Sequence, residues 1–161
     1  MSISFSGSEL VNIAINIERR GIAFYDIMAK SADNEAALHI FQHLAGMERE
    51  HIAIFQDMLP EVDSYQISDP SGGEYNEYLQ ALVENAVFTD DMITGEMATQ
   101  ADSDFRAIEL GISAEKDSIL FYYQMKDIMP RQAYPAMDRI IAEEKSHLIQ
   151  LSELRKQLAA L

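Results

Sequence analysis

Residues 47–55, MEREHIAIF, and residues 140–148, IIAEEKSHL, decide how this chain folds. Each holds a Glu-x-x-His tetrad, Glu48 to His51 and Glu144 to His147, inside an apolar run. Residues three apart share a helix face about one turn apart, so each tetrad presents a carboxylate and an imidazole together. Around the first tetrad, Leu38, Phe41, Ala45, Ile52, Phe55 and Leu59 recur at helical steps. Around the second, Met137, Ile140 or Ile141, Leu148, Leu151 and Leu154 do the same. The polar pair therefore lies on the stripe that should be buried.

Working outward, two further helices carry the same anomaly. Val11, Ile15, Glu18, Ile22, Tyr25 and Ala29 form one stripe of a helix from about Ser8 to Lys30, opened by the capping box Ser6-x-x-Glu9. Ile108, Ile112, Glu115, Ile119, Tyr122 and Met125 form the stripe of a helix from Asp104 to Ile128, closed by Met129-Pro130. The helix of the first tetrad starts after Asp33 or Asn34, either of which suits an N-cap, and Pro60 is expected to stop it near Leu59. The helix of the second tetrad starts near Pro135 and runs almost to Leu161.

Residues 60–103 read less clearly. Asp69 to Gly73 is a loop signal, Glu74–Asn85 a short helix, and Val87–Thr99 one more helical piece. A segment of this length can cross a bundle end to end, as a parallel relation between the second and third long helices would require.

The two halves repeat. Glu18 to Glu115 spans 97 positions, while Glu48 to Glu144 and His51 to His147 each span 96. Phe24-Tyr25 matches Phe121-Tyr122 at the first offset. Core packing alone rarely keeps polar residues in such register. One glutamate in an apolar stripe is most simply a misjudged boundary, whereas six polar residues at repeat-related positions point to a shared site with approximate two-fold symmetry.

Composition narrows what that site can hold. The 161 residues suit one domain, spanning 1–161, with a sizeable core. No cysteine is present, which removes thiolate metal sites and a Cys nucleophile. The formal charge is −15, so the surface repels phosphate backbones and anionic lipid, and no nucleic-acid partner is expected. No apolar run approaches a membrane span and the N-terminus lacks a signal pattern, so a cytoplasmic protein is expected.

Four buried carboxylates without partners would cost many kcal/mol. Two divalent cations would balance four negative charges. Glu48 and Glu144 are the expected bridges, Glu18 and Glu115 the terminal ligands, and His51 and His147 one ligand to each ion. Oxygen and nitrogen donors without sulfur suit iron or manganese, and zinc also binds such sets. Tyr25 and Tyr122 are candidates to hydrogen-bond the ligands or to act as one-electron donors, although buried tyrosines often only fill a core. His39 and His43 read as a surface pair, and the nine methionines as core fillers.

The segments IERRGIAFY (17–25), MEREHIAIF, AEKDSILFYYQM (114–125) and IIAEEKSHL resemble the ferritin-like superfamily, and most of all its rubrerythrin branch. The resemblance covers all four long helices. It implies an all-α, ferritin-like four-helix bundle with a long crossover between the second and third long helices. It also implies two iron ions, reaction with hydrogen peroxide or oxygen, an external electron donor and a homodimer. Two departures accompany it. Rubrerythrins usually carry a Cys-ligated rubredoxin domain, and this chain has no cysteine to build one. They also carry a further glutamate one turn before the third helix's ligand, where this chain has Ile112. Three functions stay open at this level: a peroxidase or oxidase, a ferroxidase serving iron storage or detoxification, and a non-catalytic metal-binding bundle.

Overall fold

The structure, a computed structural model, describes residues 5–63, 65, 73–86 and 103–161. Among these, the elements in chain order are α1 (Gly7–Ser31), α2 (Glu35–Val62), α3 (Glu74–Glu84), α4 (Asp104–Ile128), a 3-10 turn (Arg131–Ala133) and α5 (Tyr134–Ala159). The expected piece at Val87–Thr99 lies outside the described residues.

Local chemistry sets the helix ends. The Ser6 hydroxyl accepts from the Glu9 amide while the Glu9 carboxylate accepts from the Ser6 amide, completing the capping box at α1. Asn34, rather than Asp33, caps α2 by accepting from the Ala37 amide. Ser103 caps α4 in the same way through the Arg106 amide. Pro60 does not stop α2 at Leu59, since the helix continues to Val62. Its missing N–H leaves only the Gln56 carbonyl without a helical partner, and Gln56 is exposed, so water can serve that oxygen.

The bundle has α1 packed along α2 and α4 along α5, with α1 also against α4 and α2 against α5. That ring puts α2 and α4 on a diagonal. Tyr25 meets Glu115 and Tyr122 meets Glu18, so α1 and α4 run antiparallel. His51 meets Glu143 and Glu144, while His147 lies near Glu48, so α2 and α5 are antiparallel too. Because α1 and α2 form a hairpin, α2 and α4 must point the same way, and the chain between them has to return along the bundle. α3 lies on this return path, packing Leu79 into the core.

The core is split into two apolar layers. One gathers Leu10, Val11, Phe55, Met125, Met137 and Ile140 at one end of the bundle. The other gathers Met28, Phe41, Leu44, Ile108, Leu151 and Leu154 at the opposite end. The sextet lies between them, so the polar groups sit at mid-bundle with hydrophobic seals on both sides. Among the described residues no helix is long and apolar enough to cross a membrane.

Candidate metal centre

All six sequence-selected residues converge. Glu18, Glu48, His51, Glu115, Glu144 and His147 are each 3% exposed or less, although charged side chains are seldom buried without partners. Their donor atoms form two overlapping sets, Glu18–Glu48–His51–Glu144 and Glu48–Glu115–Glu144–His147. Within each set the atoms lie no more than 4.8 Å from one another. Glu48 and Glu144 belong to both sets, and the remaining four residues divide evenly. No other group of this kind occurs among the described residues.

The two imidazoles enter from α2 and α5 with rings 5.6 Å apart and nearly parallel, 20° between planes. His51 turns Nδ1 inward, 2.9 Å from Glu144 Oε1, 3.1 Å from Glu48 Oε2 and 3.5 Å from Glu18 Oε2. His147 Nδ1 faces Glu48 Oε1 and Glu115 Oε2, both at 3.6 Å. Several oxygens thus crowd each nitrogen, more than a single N–H can serve. Glu144 Oε1 is the nearest to His51 Nδ1, yet it lies outside hydrogen-bond geometry and has no hydrogen-bond partner.

Electrostatics of the metal-free cluster follow from this crowding. Burial pushes Glu48 and Glu144 well above the usual carboxylate range, and repulsion from neighbouring carboxylates pushes them further. Burial would raise Glu18 as well, but contacts with Glu48 and His51 outweigh it and hold Glu18 low. Burial opposes a charged imidazole, yet the surrounding carboxylates prevail and raise both His51 and His147. Glu48, Glu144, His51 and His147 therefore hold protons to higher pH than the same groups in water. Four buried side-chain atoms still lack any hydrogen-bond partner: Glu115 Oε2, Glu144 Oε1 and both nitrogens of His147. His147 Nδ1 lies 3.6 Å from Glu115 Oε2 and 3.9 Å from Glu144 Oε1, and these three orphaned atoms fit a bound cation. The all-oxygen-and-nitrogen donor set fits iron, manganese or zinc.

The tyrosines act across the repeat. The Tyr25 hydroxyl of α1 donates to Glu115 Oε1 of α4, and the Tyr122 hydroxyl of α4 donates to Glu18 Oε1 of α1. Burial, helped by the negative charge of those partners, pushes both phenols well above their ordinary value, so both stay protonated donors. Each is wedged among aromatics from the repeat and from α2: Tyr25 between Phe24 and Phe41, Tyr122 between Phe121 and Phe55. At Gly111 a Cβ would crowd the end of Leu151 at 3.2 Å and meet Tyr25 in ordinary contact at 3.5 Å.

A narrow cleft reaches the cluster on the α1–α4 side, past Glu18, Gly21, Glu48 and Glu115, with Leu82 and Val83 of α3 on its wall. Water centres can occupy about 40 Å³ of it, room for about three waters. His39 and His43 are exposed and stand apart from the cluster. Ile112 packs against the apolar layer.

One contributor was not legible in the sequence. Glu143 Oε2 lies 2.9 Å from His51 Nε2, and Arg139 Nε donates to Glu143 Oε1 at 3.1 Å. Burial would raise Glu143, but Arg139 and His51 together hold it below its ordinary value. Beside Glu144 on a helix it reads as a solvated neighbour, and only the packing of α5 against α2 brings it to the ring. The available signal was the Glu-Glu doublet preceding His147.

A helical bundle with a buried cluster of four glutamates and two histidines at its centre defines the ferritin-like class. The rubrerythrin family profile matches residues 9–155, and the chain belongs to that family. A crystal structure from Thermotoga maritima, described as a ferritin-like diiron-carboxylate protein, superposes with a TM-score of 0.71 at 29% identity, covering 95% of this chain and 96% of that one. No curated protein matches the sequence.

Proposed function

We propose that this protein holds two iron ions at mid-bundle and reduces hydrogen peroxide or oxygen with electrons from an external donor. The observation that carries the reading is the pair of overlapping four-donor sets that share Glu48 and Glu144. Glu48 and Glu144, common to both sets, would hold both ions, Glu18 and Glu115 would each complete one side, and His51 and His147 would each serve one ion, with Nδ1 the ring nitrogen that faces the carboxylates. When bound, the ion pair supplies one electron from each ion, enough for the two-electron, two-proton reduction of peroxide to water.

The chain's own groups prepare that chemistry. Tyr25 and Tyr122 engage Oε1 of Glu115 and Glu18, which leaves Oε2 of each directed at the cluster. Their protonated hydroxyls orient the carboxylates and are candidates for one-electron donation. The two apolar layers exclude bulk water along the bundle axis. The cleft's size favours an oxidant of a few atoms over a bulky organic substrate. A second reading, oxidation of ferrous iron by oxygen, stays open because Ile112, where the resemblance to rubrerythrins leads one to expect a glutamate tied to peroxidase chemistry, is an apolar side chain packed against the core.

Anaerobically reduced, iron-loaded protein tests the choice. The proposal expects peroxide to be consumed repeatedly while reductant is supplied, and Glu144→Ala to lose the dinuclear site. Retention of two ions per chain in that variant would contradict the ligand assignment. A single round of oxidation that no reductant renews would favour the second reading.

A further inference from the structure

We infer that Glu143 is a positioning residue that makes the two half-sites unequal, so that the His51 side takes up its metal ion first and more tightly. The inference rests on the dinuclear reading above and goes beyond it, because the sextet by itself is symmetric.

The asymmetry lies just outside the sextet. The Nε2 of His51 is 2.9 Å from Glu143 Oε2, and Arg139 anchors the other oxygen of that carboxylate at 3.1 Å. With a proton on Nε2, the lone pair of His51 sits on Nδ1, the atom already facing Glu18, Glu48 and Glu144. A carboxylate on the far nitrogen fixes the tautomer, holds the ring plane and makes the ligating nitrogen more basic. Among the described residues His147 has no such support, for its Nε2 is buried without a hydrogen-bond partner. The repeat offset explains the difference: 96 positions before Glu143 stands Met47, and 96 before Arg139 stands His43. The carboxylate and its anchoring cation are thus both missing from the other half. Methionine offers only a weak sulfur acceptor.

Removing an outer hydrogen-bond partner of a ligating histidine typically costs about 10–100-fold in metal affinity. The full-length protein, stripped of metal, should therefore take up Co(II) in two resolved steps when titrated anaerobically by calorimetry and visible absorption. Glu143→Gln should weaken the first step about 10–100-fold and merge it with the second, while circular dichroism reports an intact bundle. Met47→Glu, which gives His147 the missing acceptor, should tighten the second step and leave the first unchanged. Two equal steps in the wild type, or a Glu143→Gln titration identical to wild type, would overturn the inequality while leaving the dinuclear site in place. Uptake of fewer than two ions by the wild type would overturn both. Should Glu143→Gln fail to fold, Met47→Glu decides alone, and an unmoved second step in it would count against the inference.

Discussion

Tyr122 and Glu18 lie on different helices, and their contact holds together two halves of one cluster. Tyr122→Phe removes the phenol hydrogen that Glu18 accepts while keeping the ring in its aromatic slot. Such a change should lower the stability of the metal-free protein by about 1–3 kcal/mol, the usual cost of stranding a buried acceptor, and denaturant melts would measure it. Proton occupancy gives a second expectation. Glu48, Glu144, His51 and His147 all have pKa values raised by folding. Each contributes stability that is complete below its ordinary value, 4.5 or 6.5, and is lost as pH rises through the raised one. Glu18, held low, loses its contribution only as pH falls below 4.5. Between about pH 6 and about pH 9 the metal-free Tm should therefore fall as pH rises, while metal affinity, which requires those protons to leave, should rise. Calorimetric scans in both states check this, and a metal-free Tm that climbed with pH would contradict it. The six cluster residues were legible because helical spacing and the repeat both marked them. Glu143 was not, since its role depends on which residue of α2 lies opposite.

At the scale of elements, the close approach of α1 to α2 depends on Gly7. A Cβ there would lie 2.7 Å from the Val62 carbonyl oxygen, a backbone atom that cannot swing aside. Gly7→Ala should cost about 1–3 kcal/mol through overpacking, despite alanine's better helix propensity. A neutral or stabilised variant in thermal melts would mean that the two helix ends are spaced more widely. The start of α4 is tied to the α1–α2 turn, because the Asp104 carboxylate accepts from the amides of Asp33 and Asn34. The caps at Ser6, Asn34 and Ser103 follow from local sequence rules, which is why helix starts were readable. The end of α2 was not, since the effect of Pro60 depends on whether one carbonyl can reach water. The Asp104 link was also unreadable, because it joins residues about 70 positions apart.

On the scale of the whole molecule, the repeat, the antiparallel pairing of α1 with α4 and the two apolar layers all place one polar layer at the bundle's middle. The sequence disclosed this architecture because a buried glutamate appears once per long helix, and a bundle is the arrangement that brings four such positions together. Of the return path between α2 and α4, the sequence showed the length and the short helix expected at Glu74–Asn85, which the structure has as Glu74–Glu84. Metal should act as a structural member: filling the site exchanges repulsion among carboxylates for coordination, so loading should raise Tm by an amount that grows with free ion concentration. The central claim, that six side chains from four helices hold two ions, is tested most directly by anomalous diffraction at the iron edge from crystals of iron-loaded protein. The account predicts two peaks about 3.5–4 Å apart, bridged by Glu48 and Glu144, one beside His51 and the other beside His147. A single peak, or peaks away from these six residues, would contradict it.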